Sequence, residues 1–562
     1  MRKVIIILTA LAGSLFFNSC NSWLDVKPYD SMAEEQLYST ENGIQRALNG
    51  LYLSLASNDL YAENLGGGAI DVLGQRYKLS SEHSYYDLSE YKYTNDGPKE
   101  TFEAIWKAAY KLIADCNEFL EQVPRHQDLL SQGNYKMMMG EALAIRTLLH
   151  FDMFRIFGPV YTEANKQEAS IPYYSMVTDV TQPILSTEEL VEHLFTDIDS
   201  AIVLLSKDVI LADGVVKGEG FWDYRNLRLN YYAVWALKAR MCWYLGDAYA
   251  DEAYRIATAL LEGKDPKTNE VNNFNTVFEP VSQNVAVTDR VFFSEELFAL
   301  HNMKRTTVYK ELFSSDLEDN NILLSTEDYM NKLFDEPNDY RWHSWEVATG
   351  RQTSGLMVFV KYVEQTENRN DPYLYEIQSM LRLSELYLIA AATAPDDATV
   401  TAWLEKLRMM RGYQSGMVGS DAQKVLQQEW EKSLLLKDDL VTSDLSELLF
   451  SIRKQTAPLE QVASPRRKIV HTRRHLLLYW SASAAVAAIL LFLFMTVDWR
   501  MKDDRLEEIA FTLKEVSDGT EEIQLIFSDD KTVTVDKGAI VAYNTNGVVS
   551  INEQQVDNGQ VN

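Results

Sequence analysis

"YYAVWALKARMCWYLGDAYADEAYRIATALLEG", residues 231–263, alternates small and large apolar residues over two helical stretches joined at Gly246-Asp247. The spacing predicts a helical hairpin whose small residues, Ala239, Gly246 and Ala253, let the two helices approach closely. Trp235, Trp243 and Tyr244 fall on the helices and are expected in the core. A single hairpin cannot bury both of its apolar faces, so neighbours of the same kind are required. A looser pair follows at 376–412, "EIQSMLRLSELYLIAAAT" and then "TVTAWLEKLRMMRG".

Upstream, Leu37, Ile44, Leu48, Leu51 and Leu55 recur at helical spacing, as do Ile105, Tyr110, Ile113 and Phe119. "GEALAIRTLLHFDMFRIFGPV" continues as a helix until Gly158 and Pro159 stop it. Between these helices, residues 59–98 mix turn signals with tyrosines ("LGGG", "YYD", "TNDG") and are expected to form an exposed loop. The character changes after Lys432. A basic linker leads to Leu476–Val497, 22 residues without a charge, and "EEIQLIFSDDKTVTVDKGAIVAYNTNGVVSINEQQV" then alternates apolar and polar residues around turns, the pattern of antiparallel β-structure. The hydropathy pattern therefore predicts a mainly α fold of tetratricopeptide-like hairpins, then one transmembrane helix and a small antiparallel β domain.

The chain has 562 residues, 46% of them hydrophobic and 24% charged, enough for several globular domains. Its net charge of −29 argues against nucleic acid as a partner. Cys116 and Cys242 lie in apolar helical patterns and are expected as buried free thiols. Arg2 and Lys3 precede an apolar run that ends near Ser19-Cys20, which reads as an export signal over 1–19, with Cys20 the lipidated first residue of a lipoprotein. Arg466, Arg467, Lys468, Arg473 and Arg474 before the second apolar segment would instead hold its upstream flank in the cytoplasm. The two topology signals conflict.

Residues 1–432 resemble the SusD/RagB family of outer-membrane nutrient-binding lipoproteins. The resemblance is carried by "SCNSWLDVKP" (19–28), "IWKAAYKLIADCNEFL" (105–120), "GEALAIRTLLHFDMFRIFGPV" (140–160), the 231–263 hairpin, and "MLRLSELYLIAAA" with "LEKLRMMRG" near 380–412. It implies an α-helical fold with four tetratricopeptide-like hairpins, a SusC-like TonB-dependent transporter as partner, and an oligosaccharide or other nutrient as ligand. It implies no enzymatic activity. The match stops near 432, where the family's closing stretch is missing. Residues from about 436 resemble a FecR-type anti-sigma factor, with 433–475 as linker or remnant of the anti-sigma region, 476–497 as span and 498–562 as a partial FecR-like β domain. The expected organisation is a C-terminally truncated SusD-like domain over 20–432 fused to that fragment. Its expected place is the outer membrane, through the lipid anchor. A working span would retain the chain at the inner membrane, where a FecR-type regulator of a sigma factor, or a chimera without function, is the alternative.

Glycan binding requires flat apolar faces together with amides, carboxylates and guanidinium groups for the hydroxyls. Two loops carry both. "DVLGQRYKLSSEHSYYDL" (71–88) offers Asp71, Arg76, Tyr77, Tyr85 and Tyr86, and "NDYRWHSWEVATGRQ" (338–352) offers Asp339, Arg341, Trp342 and Trp345. The histidines show no metal-ligand spacing, and neither a nucleophile elbow nor a phosphate loop is present, so no enzyme, cofactor or metal is expected. Asp316, Glu318, Asn320 and Glu327 fall at calcium-loop offsets. With Asn321 at the turn and Leu324 at a ligand position, the stretch reads as an ordinary acidic turn.

Overall fold

A computed structural model describes residues 36–348, 355–363, 371–414, 418–419 and 421–437, with strands at 522–526, 532–536, 541–543, 549–551, 554–557 and 560–561. The signal segment, Cys20 and the expected span at 476–497 lie outside the described residues, as does the linker beyond 437. Two units, within 1–467 and within 468–562, are described separately. Among the described residues no helix is long and apolar enough to cross a membrane.

The first unit is helical. Numbering helices of nine or more residues, α1 is Glu41–Leu55, α2 Asp96–Arg125, α3 Gln132–Phe157 and α4 Thr187–Leu204. Next come α5 Tyr231–Tyr244, α6 Ala250–Leu261, α7 Arg305–Phe313, α8 Leu383–Ala392, α9 Asp397–Met410 and α10 Ala422–Lys437. Helix starts follow the sequence. The side chains of Thr40, Ser131, Asn230 and Asp396 each accept a first-turn N–H, and Ser186 with Glu189 forms a full capping box. α3 ends at Gly158, where a Cβ would stand 2.5 Å from the Phe154 ring and 2.7 Å from Ser170 Oγ.

The 231–263 hairpin forms as expected, with Ala239 and Ala253 fully buried. Gly246 corrects the reasoning behind it. A Cβ there would meet nothing within 4 Å, and its φ is +76°, so this glycine serves the turn and not a close helix approach. Trp235 and Tyr244 are buried as expected, and half-buried Trp243 stacks on Trp430 of α10 with centroids 4.4 Å apart. Cys116 and Cys242 are buried free thiols.

Two expectations are overturned. Residues 377–382, taken as the start of a helix, form strand β7 (Ile377–Arg382), fully buried and antiparallel to β3 (Glu296–His301). The segment after α1 is not an exposed loop over its whole length. Leu60, Tyr61, Ala62, Leu65 and Ala69–Leu73 are buried, the Tyr61 hydroxyl donates to Asp152 of α3, and the Ala62 carbonyl accepts from Arg305 Nη1 at 2.8 Å. Smaller sheets complete this unit: β1 (Ala169–Pro172) with β2 (Ile184–Ser186), and β4 (Ser325–Thr326), β6 (Leu356–Phe359) and β5 (Trp345–Val347) in the order β4-β6-β5. In the second unit β8 (Glu522–Ile526) pairs antiparallel with β9 (Thr532–Asp536). Strands β10 (Val541–Tyr543), β11 (Val549–Ile551), β12 (Gln554–Asp557) and β13 (Gln560–Val561) form an antiparallel meander, so the strands lie where the alternation put them.

α3 is buried on nearly every side yet carries Glu141, Arg146, His150, Asp152 and Arg155, all buried. Burying such groups is tolerable only when they are paired. Arg146 clasps Asp197 of α4 with two hydrogen bonds of 2.7 and 2.8 Å. His150 Nδ1 donates to the Arg146 carbonyl (3.0 Å) and Nε2 accepts from Tyr174 N–H (3.1 Å), so the ring is neutral and both nitrogens are used. Burial, aided by the Arg146 and His193 charges, pushes His150 down to about 3. A pKa held below its unfolded value of about 6.5 means that unfolded chains take up the proton first, so stability falls as pH drops from about 6.5 towards 3. Between pH 7 and 4.5 this amounts to about 2–3 kcal/mol. Urea denaturation of His150→Gln at both pH values should show a correspondingly flatter profile, and a profile parallel to wild type would reject the assignment.

Candidate carbohydrate site

Most of the polar residues of the two predicted loops are spent on the fold, and the loops meet inside it, where Tyr77 and Trp345 pack against Phe313 and Phe359, whose rings lie 5.3 Å apart. Asp71 and Arg76 form an ion pair inside the protein, and Tyr77 is buried with its ring 5.7 Å from Phe313. Asp339 accepts from Arg341 Nε (2.9 Å) and Nη2 (2.7 Å), and the same Nη2 donates to Glu429 of α10 (2.7 Å). Trp345 is buried, 5.0 Å from Phe359 across the β5–β6 pair, and Trp342 is half-buried and edge-on to Phe334 at 5.3 Å. Asp71, Arg76, Tyr77, Asp339, Arg341 and Trp345 are therefore interior groups in this structure and not the exposed ligand-facing residues expected. In each acid–base pair the two charges neutralise one another within a few residues, which lets a stretch that reads as polar turn inward.

Tyr85, Tyr86 and Trp342 are the predicted residues left half-buried, and the two tyrosines are adjacent in the chain. The Tyr85 hydroxyl donates to Glu63 Oε1 (2.7 Å), and Asn58 Nδ2 donates to the other carboxylate oxygen (3.1 Å). Burial, followed by the Glu63 charge, raises the Tyr85 pKa well above the usual phenol range, so the hydroxyl keeps its proton. Lys92 Nζ lies 5.1 Å over the Tyr86 ring, and Asp87 accepts from Asn95 Nδ2 (2.7 Å). Behind the tyrosines His83 is buried, its Nδ1 accepting Tyr85 N–H at 3.0 Å, and burial lowers its pKa so that it holds Tyr85 as a neutral ring.

A distant segment reaches the same surface. Lys78 bridges to Leu324, and Asn320 Nδ2 donates to Glu82 (3.1 Å), while Asn320 Oδ1 has no partner among the described residues. The acidic turn around Asn320 thus supplies an amide to this surface, and the described residues contain no cluster able to hold a metal ion. Sequence reading missed Asn58, Glu63, Glu82, Lys92 and Asn320. Only Lys92 and Glu82 had a local signal, their closeness to the tyrosines. Two tyrosine rings ringed by amide, carboxylate and ammonium groups supply what a sugar needs, an apolar face for the ring and donors and acceptors for its hydroxyls.

Comparison with known proteins agrees with this fold. Residues 22–212 match the family model SusD-like_3, described as starch-binding associating with outer membrane. The SusD-like proteins P38 and P25 of Formosa agariphila are 26% identical over 187 residues and 28% identical over 168. The matched segments cover 33% and 28% of this chain and span about a third of those relatives' own length, 34% and 31%. Among solved structures, a SusD superfamily protein from Bacteroides thetaiotaomicron superposes with a TM-score of 0.55 at 19% identity, covering 73% of this chain and 88% of its own. A SusD-like carbohydrate binding protein from Bacteroides vulgatus gives 0.54 at 20% identity, covering 74% and 84%. Surface glycan-binding protein A from Bacteroides uniformis gives 0.52 at 16% identity, covering 71% and 86%. The helical unit shares the fold of these SusD superfamily structures. These relatives support that expectation and lend nothing to the FecR-type one.

Proposed function

We propose that the protein is a glycan-binding protein of the outer membrane, not an enzyme, and that its ligand surface is built on Tyr85 and Tyr86. The observation that carries the reading is the Tyr85–Glu63–Asn58 chain of hydrogen bonds beside a second half-buried tyrosine, on a fold whose relatives include named carbohydrate binders. Cys20 would carry the lipid anchor, and a SusC-like TonB-dependent transporter would receive the ligand. Both extensions rest on the family likeness and on "SCNSW" at the end of the apolar leader.

Titration calorimetry with maltoheptaose and a panel of other linear oligosaccharides tests the site. Tyr85→Ala removes a stacking face and leaves Glu63 short of one donor, which should cost about 1–2 kcal/mol. Binding should weaken about tenfold or more. Unchanged affinity in Tyr85→Ala would move the site elsewhere, and a wild-type protein that binds no member of the panel would reject the reading.

A further inference from the structure

We propose that Tyr224 and Tyr373 form a second carbohydrate platform, taking a neutral pyranose ring on the outer face of Tyr224 and its hydroxyls on His301, Glu376 and Lys217. This rests on the reading that the ligand is a sugar, but not on the Tyr85 site. The two tyrosine rings are half-buried and stack with centroids 4.2 Å apart at 28°. Tyr224 sits in the left-handed region, φ 48° and ψ 50°, which a bulky residue rarely adopts and which persists where the surroundings enforce it. The platform unites three separate chain segments. His301 is exposed, its ring 5.4 Å from Tyr373 and its Nε2 3.2 Å from Glu376 Oε2, and Lys217 Nζ lies 5.8 Å over Phe293, which is itself 5.9 Å from Tyr373.

Two further features favour a ligand here. Buried Asn302 gives its backbone N–H to the Glu376 carbonyl (2.7 Å), while its Nδ2 has no partner among the described residues. Met303 beside it is 77% exposed. Lys217 and Glu376 offset one another in charge, so an ionic ligand gains little, whereas hydroxyl groups can both donate and accept. A flat ring face edged by an ammonium, a carboxylate and an imidazole fits a sugar better than an apolar peptide.

The test is calorimetry on the full chain in detergent with a panel of neutral trisaccharides: maltotriose, cellotriose, xylotriose, mannotriose and laminaritriose. Tyr224→Gly suits the left-handed backbone, so it removes the ring without disturbing the fold, and Tyr373→Leu is the second variant. Each should abolish one of two binding events, or weaken it at least tenfold, at an unchanged thermal midpoint, with Tyr85→Ala removing the other. Full binding in both Tyr224→Gly and Tyr373→Leu, with loss in Tyr85→Ala, overturns this platform and leaves the first site standing. Loss in the Tyr224 variant with Tyr85→Ala unaffected supports the platform and rejects the first site. No binding of any panel member by wild type overturns both.

Discussion

Glu429→Ala should destabilise the helical unit by about 3–5 kcal/mol in urea denaturation, because it takes the shared carboxylate from three buried cations and leaves Arg341 with Asp339 and the other two with half-exposed Asp335. Glu429 of α10 is fully buried and accepts from Arg341 Nη2 (2.7 Å), Lys432 Nζ (3.0 Å) and Arg408 Nε (3.1 Å). Burial alone would raise its pKa, but Arg341, Lys432 and Arg408 outweigh it and hold the carboxyl well below the usual range. A depressed folded pKa gives stability that is present above about pH 4.5 and is lost as pH falls through the folded value. The deficit of Glu429→Ala should therefore be full at pH 7 and shrink in strong acid. Asp335, which accepts from Lys432 (2.7 Å), Arg408 (3.0 Å) and Tyr413 (2.7 Å), limits the damage without removing it, since its side chain is 41% exposed and shares its field with water. Glu429→Gln keeps the shape and loses the charge, so it should fall between wild type and alanine. A loss under about 1 kcal/mol for alanine would show that α10 is held by its Trp430–Trp243 stack and not by this network.

The same network shows which parts of the molecule a sequence can disclose. The end of α3 was legible because Gly158-Pro159 stops any helix, and the 231–263 hairpin because Gly246-Asp247 divides an apolar stretch long enough for two helices. Strand β7 was not, since a short run of residues buried on every side carries no period to separate strand from helix. The candidate site failed for a related reason. Polar letters in "DVLGQRYK" and "NDYRWHSW" read as surface, yet Asp71 with Arg76 and Asp339 with Arg341 cancel each other's charge and go inside. Glu63, Asn58 and Asn320, which sit with the exposed tyrosines, come from places in the chain that no local pattern links to residues 85–86. Which polar group is spent on the fold depends on pairing that is local in Asp71–Arg76 and Asp339–Arg341 and distant in Arg341–Glu429, and a single sequence does not display it.

Arg225→Ala should cost as much as the loss of Glu429, about 3–5 kcal/mol, for the mirror-image reason. Arg225 is fully buried and gives Nε and Nη2 to the two oxygens of Asp208 (2.8 Å each) while Nη1 meets Glu141 of α3 at 2.5 Å. Burial disfavours its charge, but Asp208 and Glu141 more than compensate and keep it protonated. Without it two carboxylates lose their shared cation in the interior, Glu141 keeping Arg228 (3.3 Å) and the Tyr52 hydroxyl (2.7 Å) and Asp208 keeping the N–H of Ile210 (3.1 Å). Asp208 also accepts the N–H of Tyr231 at 3.0 Å, so the strain reaches the first turn of α5 and with it the 231–263 hairpin. Arg225→Lys reaches one carboxylate and forfeits the bidentate geometry, so it should recover only part of the loss. If charge is the cause, Arg225→Met combined with Asp208→Asn and Glu141→Gln should be more stable than Arg225→Ala alone, because no unpaired carboxylate remains in the interior. If the triple variant is equally unstable, the damage comes from lost packing beneath Trp222, whose ring lies 5.1 Å from the guanidinium.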